Sequence, residues 1–124
     1  MGDRRQSERQ GRGAETLAMI WLRLTGHRIL ARRWRGRAGE IDIVACRRRV
    51  IIFCEVKFRR RASETGIPTL RQRHRICRAA QEFASRRQLS ENFEWRFDLV
   101  QISPPLRGSV SPVRHLKDAW RCNG

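Results

Sequence analysis

The sequence has few acidic residues and almost no lysine. Twelve Asp and Glu residues stand against 28 Lys and Arg residues, which gives a formal net charge of +16 and a pI near 11.7. Only Lys57 and Lys117 are lysines, so nearly all of the positive charge sits on arginine, whose planar fork grips phosphate oxygens in pairs. This balance favours a polyanionic partner, because each neutralised phosphate releases a condensed counterion. Nucleic acid, with DNA first, is the expected partner.

Long apolar segments are also missing. The apolar run from Leu17 to Leu24 is interrupted by Arg23 and is far shorter than the roughly 20 residues that a membrane-spanning helix needs. It lacks the small-residue cleavage pattern that ends a signal peptide. An anionic membrane surface is the competing explanation of the charge, but no long helix combines a broad apolar face with a basic face. The sequence therefore predicts a cytosolic protein without membrane contact.

The cysteines show none of the close pairing that is typical of zinc sites. Cys46, Cys54, Cys77 and Cys122 form no CxxC motif and lie mostly among apolar neighbours. Buried thiols are the expectation for all four, and a zinc site is the alternative.

The length and composition predict one globular domain. A chain of 124 residues should bury about two-thirds of its unfolded surface, which is enough for one core. We therefore expect a single domain over residues 1–124. Residues 1–12 are polar and contain glycine, so they form either a frayed arm or the leading turn of the first helix. No repeat or low-complexity tract is present.

Periodicity along the chain indicates alternating helices and strands. Helical spacing predicts a first helix from Ala14 to Leu24, stopped by Gly26. A second helix is expected after Pro68, where Thr69 and Gln72 have capping-box spacing. Alternating or continuous apolar residues predict strands over 29–34, 40–46, 50–58 and 93–102, and the tail from 113 to 120 is expected as a short strand or helix. Asp98 is expected as an ion pair at the edge of the sheet.

The acidic residues concentrate in the stretch GEIDIVACRRRVIIFCEVK at 39–57. If its two strands form a hairpin with a two-residue loop at Arg48-Arg49, Asp42 and Glu55 lie opposite each other, with Cβ atoms roughly 5 Å apart. Lys57 shares their face, because residues two apart in a strand point the same way. The first helix carries Glu15 on a flank that faces the core or its edge.

Two neighbouring carboxylates repel each other unless a proton, a basic side chain or a cation lies between them. Mg²⁺ or Mn²⁺ suits this arrangement, since a hard cation binds one or two carboxylates, carbonyl oxygens and water. Such an ion could activate a water molecule against a phosphodiester. The alternative is that these acids pair with nearby arginines on a solvated face of the sheet. Spacing alone does not decide between the two.

The chain resembles the core of the PD-(D/E)xK nucleases, and specifically the YraN-like family of bacterial proteins. The resemblance lies in the run 39–45, in Glu55-Val56-Lys57 thirteen residues after Asp42, and in the stretches 13–15, 71–73 and 96–98. It implies an α/β, restriction-endonuclease-like fold with a central mixed sheet flanked by helices, related to Holliday-junction resolvases.

The resemblance also implies roles for particular residues. It makes Asp42, Glu55 and the carbonyl of Val56 the metal ligands, and Lys57 the catalytic lysine. Glu15 matches a glutamate of the resolvase-like branch, whereas Glu40 and Gln72 take supporting roles.

Together these patterns predict a metal-dependent endonuclease that acts on DNA, with branched or junction DNA as the expected substrate. Arg59, Arg60 and Arg61 follow the catalytic strand and are expected to grip the nucleic-acid backbone. A homodimer would suit an enzyme that cuts two strands symmetrically. The alternative function is a nucleic-acid-binding module that keeps the fold without catalysis.

Overall fold

A computed structural model of the chain describes residues 2–59, 66–103 and 112–122. Its elements, in chain order, are α1 (Gly2–Leu24), β1 (Arg28–Arg35), β2 (Glu40–Arg47), β3 (Val50–Phe58), α2 (Leu70–Arg87), β4 (Glu94–Ile102) and β5 (Val113–Trp120). The strands form one sheet in the order β1-β2-β3-β4-β5. Strands β3 and β4 are parallel, and the other neighbouring pairs are antiparallel. This mixed sheet with its two helices confirms the predicted α/β class and is consistent with a restriction-endonuclease-like fold.

The sheet has an apolar core on each face. Strand β3 shows why: Ile51 and Phe53 point to the α2 side, whereas Ile52 and Cys54 point to the α1 side, and all four are buried. A strand buried on both faces reads as a continuous apolar run, which is how VIIFC appears in the sequence. The central position of β3 fixes the strand that carries Glu55 and Lys57.

Helix α1 differs from its prediction in where it begins and in which side chains it buries. It begins at Gly2, so residues 2–12 are helical, over more than a leading turn. Among its side chains described from residue 12 onward, the buried ones are Ala14, Ala18, Met19 and Leu22. The more obvious apolar stripe is exposed, with relative exposures of 44% for Leu17, 45% for Ile20 and 79% for Leu24. Small alanines let the helix lie close to the sheet, and this places Glu15 near the carboxylates of β2 and β3.

The β2–β3 hairpin has the predicted register. Arg47 pairs with Val50 across a two-residue turn, and Ile43 pairs with Cys54 further along the ladder. Arg48 has a φ of 56°, in the left-handed region that tight hairpin turns use. Paired positions therefore sum to an odd number, and the ladder ends at Ile43 and Cys54, the residues next to Asp42 and Glu55.

The β1–β2 turn is fixed against the body of α2, and the start of this helix is capped locally. Thr69 and Gln72 form the predicted capping box at the helix N-terminus. In the turn, a Cβ on Gly36 would lie 1.9 Å from Oε2 of Glu82, so a larger residue there would displace the Glu82 side chain. The Glu82 carboxylate also accepts a hydrogen bond from the backbone N–H of Arg37 at 2.8 Å. These contacts fix residues 36–39 against α2.

Asp98 lies in the interior of the fold instead of at the sheet edge, which corrects the sequence-based expectation. It is fully buried on β4, where Arg96 donates two hydrogen bonds of 2.8 Å and His115 donates one of 2.7 Å. The Asp118 amide adds a fourth at 3.0 Å, and Trp21 donates to the other nitrogen of His115. Burial alone would raise the pKa of Asp98, but these hydrogen bonds outweigh it and lower the pKa to about 2.

The expectation of four buried thiols is wrong for two of the cysteines. Cys77 on α2 and Cys122 just after β5 form a disulfide, with Cα atoms 5.9 Å apart. Cys54 is a buried thiol as expected, and Cys46 is partly buried. The pairing joins residues 45 positions apart, so no local spacing in the sequence could reveal it. By linking the chain after β5 to α2, the disulfide restricts the unfolded chain and stabilises the fold.

The tail from Val113 to Trp120, expected as a strand or helix, forms the edge strand β5. No helix within the described ranges is long and apolar enough to span a membrane.

Candidate active site

A polar cleft of roughly 450 Å³ lies where β2 begins, where β3 carries its polar residues and where α2 starts. It is lined by Glu15, Ala38, Gly39, Glu40, Asp42, Glu55, Gln72, Arg75 and Ile76. The structure thus brings together five of the residues that the sequence singled out: Glu15, Glu40, Asp42, Glu55 and Gln72. They come from α1, β2, β3 and α2, so the cleft depends on the whole fold.

Asp42 and Glu55 share the cleft at hydrogen-bonding distance. Burial raises the pKa of both carboxyls, and the hydrogen bond between them is a smaller contribution that acts downward on the pKa of Asp42 and upward on that of Glu55. Asp42 Oδ2 also accepts from the backbone N–H of Val56 at 2.8 Å. The same-face geometry predicted from the parity of the hairpin is confirmed. Among the described residues, no Lys or Arg lies within ion-pair distance of Asp42, so its pairing with arginine is not the arrangement found.

Burial is the main cause of the unusual protonation of this pair. It raises the pKa of Asp42 to about 6, with further increases from the negative charges of Glu15 and Glu40. It raises the pKa of Glu55 to about 8, and the neighbouring Asp42 charge contributes to the rise. The pair therefore retains a proton near neutral pH. A proton held between two buried carboxylates indicates a place that a cation could take.

Lys57 lies beside the pair, as predicted. Its Nζ is 3.5 Å from Oε1 of Glu55, and its side chain is partly buried. The ammonium lowers the pKa of Glu55 both by its charge and by its hydrogen bond, but burial and Asp42 outweigh it. One cation of this size next to two carboxylates leaves the pair only partly compensated.

Glu15 lines the cleft but is engaged by a residue that sequence reasoning did not select. Its carboxylate accepts a hydrogen bond from Nε of Arg33 on β1, and this bond and the charge of Glu15 raise the pKa of the Arg33 guanidinium. Glu15 still acts on the centre of the cleft, because its negative charge is one of the causes of the raised pKa of Asp42. The structure therefore places Glu15 at the wall of the cleft, held by Arg33.

The two supporting residues have structural partners of their own. Glu40 lies 3.6 Å from an Arg35 nitrogen and is mostly a rim residue, with its side chain 42% exposed. The side-chain oxygen of Gln72 accepts from the Thr69 amide at 3.0 Å. Its part in the capping box fixes Gln72 at the cleft, and this explains its position without any role in chemistry.

Of the three arginines predicted to contact the nucleic-acid backbone, the structure describes only Arg59. The backbone amide of Arg59 extends the β3–β4 pairing by donating to the Ile102 carbonyl at 2.7 Å. Arg60 and Arg61 lie outside the described residues. Arg75, by contrast, lines the cleft from α2 and was not singled out. Its spacing of three residues from Gln72 places it on the same side of α2 and was the available signal.

The donor set of the cleft fits a hard cation such as Mg²⁺ or Mn²⁺. Within the described ranges, no group of three or more His, Cys, Asp and Glu side chains could hold a metal ion. An ion here would have the two carboxylates of Asp42 and Glu55 as its side-chain ligands, which matches the one or two that Mg²⁺ uses. The Val56 carbonyl points to the Asp42 side, because its N–H does and both groups of an extended residue point the same way. None of the described residues that line the cleft carries a sulfur or imidazole ligand.

Comparison with known proteins identifies the family. The family described as "Uncharacterised protein family UPF0102" matches residues 14–102, which include every described site residue. The chain belongs to this family.

Curated relatives from this family are similar over most of the chain. The UPF0102 protein of Maricaulis maris is 46% identical over 102 residues, 82% of this chain and 80% of its own. That of Parvibaculum lavamentivorans is 43% identical over 116 residues, covering 91% and 82%. That of Paramagnetospirillum magneticum is 43% identical over 122 residues, covering 93% and 89%. The resemblance to YraN-like proteins is thereby confirmed, and these relatives carry no named activity.

Proposed function

We propose that this UPF0102 protein is a metal-dependent nuclease that hydrolyses phosphodiester bonds of DNA. One observation carries the proposal: the buried Asp42 and Glu55 side chains meet in one polar cleft and hydrogen-bond to each other, with Lys57 at 3.5 Å from Glu55. The chain has 28 basic residues, yet no described arginine side chain lies within ion-pair distance of this buried acidic pair, and buried carboxylates without such compensation are destabilising. A divalent cation bound by the two carboxylates would compensate their negative charge.

The proposed ligands are the carboxylates of Asp42 and Glu55 and the carbonyl of Val56, with Mg²⁺ or Mn²⁺ as the cation. A bound divalent cation would supply a water of lowered pKa and a positive charge against the developing charge of the phosphate. Lys57 would hold and orient the attacking water or contact the phosphate, because its ammonium projects into the same face. Glu15 would add negative charge near the ion from the wall of the cleft.

The net charge of +16 supports a nucleic-acid substrate for the cleft. Branched or junction DNA is the proposed substrate shape, by resemblance to junction resolvases. A homodimer, which would let two clefts cut two strands, stays a prediction.

Cleavage across a panel of DNA shapes tests the proposal. Junction, flap, single-stranded and duplex DNA are incubated with the protein in Mg²⁺ or Mn²⁺, and we expect cleavage of at least the branched forms. The double variant Asp42→Asn, Glu55→Gln should lower the rate by at least about 100-fold, as expected when the groups that stabilise the transition state are lost. Glu91→Gln, which alters an exposed acid far from the cleft, is the control and should cut normally.

Cleavage that persisted in the double variant would come from a contaminant and remove the proposal. Salt-sensitive binding of the DNA without cleavage, and without stabilisation by Mn²⁺, would instead identify a non-catalytic binding module.

A further inference from the structure

A second groove lies beside the cleft and is lined almost entirely by arginine. It has a volume of roughly 440 Å³ and is formed by Arg12 and Thr16 of α1 with Arg32 and Arg33 of β1. The ion pair between Arg33 and Glu15 separates this groove from the acidic cleft, because Arg33 lines one and Glu15 lines the other. The two cavities are therefore neighbours with opposite charge.

The backbone of β1 is distorted at the residue that forms the groove. Successive residues of a strand normally point to opposite faces, so Arg32 and Arg33 would be separated. Arg33 has a φ of 47°, in the left-handed region that residues other than glycine rarely adopt. Arg32 and Arg33 nevertheless both line this one groove. Such strained residues concentrate at sites where a ligand is bound.

The charges of the groove are only partly balanced within the described chain. Arg33 is paired with Glu15, whereas among the side chains described from residue 12 onward no acid lies within ion-pair distance of Arg12 or Arg32. The Thr16 hydroxyl donates to the Arg12 carbonyl at 3.0 Å, within one turn of α1 at the groove. Two guanidinium groups held on one side of an open groove favour an anion between them, and planar guanidinium forks match phosphate oxygens.

We propose that this groove binds a backbone phosphate of the strand that the cleft receives, next to the phosphodiester at Asp42 and Glu55. The inference rests on the proposed function, and it gives the substrate a path: the strand crosses the Glu15–Arg33 wall from the arginine groove into the acidic cleft. Arg12 and Arg32 hold the neighbouring phosphate, and Arg33 keeps Glu15 directed to the cleft. The charged lining of the groove consists of guanidinium groups, whose forks match phosphate oxygens, so the proposed contact is with the nucleic-acid backbone.

Binding without metal tests the groove separately from cleavage. A fluorescent junction DNA is titrated with the full protein in EDTA over a series of salt concentrations. We expect Arg12→Gln, Arg32→Gln to weaken binding roughly tenfold and to lower the slope of log affinity on log salt by about 1, as for one lost phosphate contact. The control is Arg48→Gln, Arg49→Gln at the β2–β3 turn, which removes the same charge at the opposite end of β3. This control pair should weaken binding less than about threefold, through the general field of the protein alone.

If the two double variants weakened DNA binding equally, the proposed phosphate site in the groove would be contradicted, since the effect would reflect only the loss of net charge. Unchanged binding in Arg12→Gln, Arg32→Gln would overturn it as well, and circular dichroism verifies that each variant is folded. If the groove pair weakens binding as expected but the unmodified protein cuts no DNA in Mg²⁺ or Mn²⁺, the groove stands and the nuclease proposal fails.

Where cleavage occurs, the position of the phosphate can be located. A single methylphosphonate next to the cleavage site removes one backbone charge. It should slow the unmodified protein roughly tenfold and have almost no further effect on Arg12→Gln, Arg32→Gln, because contacts that share one phosphate are not additive. Fully additive effects would place that phosphate elsewhere.

Discussion

Lys57→Met should lower the rate of DNA cleavage by about 100-fold or more while leaving the metal site in place. The Lys57 ammonium lies 3.5 Å from Glu55 and on the side of β3 that faces the cleft. Its loss removes the cationic group that would orient the water or the phosphate, and contributions of this kind are worth about 10² to 10⁴ in rate. Because Lys57 lowers the pKa of Glu55, the variant should also need a higher pH to reach its residual maximum.

The chain contains its own matched control, since Lys117 is the other lysine. Lys117 is exposed on β5 and does not line the cleft, so Lys117→Met should cut at the normal rate after the same change in net charge. Stabilisation of Lys57→Met by Mn²⁺, read from its thermal midpoint, should equal or exceed that of the unmodified protein. Normal cleavage by Lys57→Met would remove this lysine from the mechanism.

Glu55→Gln should stabilise the metal-free protein at high pH and abolish its stabilisation by Mn²⁺. Glu55 has its pKa raised to about 8 in the folded chain, so its stabilising proton is fully present below the unfolded value and is lost as the pH rises through about 8. Glutamine keeps the neutral shape at every pH. In EDTA, the variant should match the unmodified protein near pH 4 and exceed it at pH 9 by on the order of 5 kcal/mol in the free energy of unfolding, because the pKa of Glu55 rises from 4.5 to about 8 on folding and each unit is worth about 1.4 kcal/mol.

Chemical denaturation at several pH values measures this difference, with Glu91→Gln as an exposed control that should show no such trend. Addition of Mn²⁺ at 100 times its dissociation constant should stabilise the unmodified protein by about 2.7 kcal/mol and leave Glu55→Gln unchanged. A variant less stable than the unmodified protein at pH 9 in EDTA would show that ionised Glu55 holds the fold together.

The local parts of this architecture were accessible from the sequence. The face shared by Asp42 and Glu55 followed from the period of two in strands and from the two-residue turn at Arg48-Arg49. The Thr69–Gln72 capping box followed from spacing within one helical turn. Each rule acts over a few neighbouring residues, so its outcome does not depend on contacts with distant parts of the chain.

The features that sequence reasoning missed depend on contacts between distant segments. Leu17 and Ile20 make a more conspicuous apolar stripe than Ala14 and Ala18, yet the alanines face the sheet because a flat helix–sheet contact favours small side chains. The Cys77–Cys122 disulfide joins α2 to the chain after β5, across separate elements.

Within the site, the same limit applies. Glu15 was placed near the carboxylates by the helical period, but its engagement by Arg33 joins α1 to β1 and so depends on how the two elements pack. Nothing in the run Ala31-Arg32-Arg33-Trp34 marks the left-handed residue, since arginine rarely adopts that conformation. The groove formed with Arg12 therefore appears only once α1 is laid over β1.

The central claim is that Asp42 and Glu55 together bind one divalent cation, and proton release on metal binding tests it most directly. Mn²⁺ is titrated into the protein at pH 7 by calorimetry in two buffers that differ in their heat of protonation. The account predicts one site per chain, release of about one proton as the shared proton of the pair is displaced, and no binding by Asp42→Asn. Binding that released no proton, or that survived in Asp42→Asn, would contradict it.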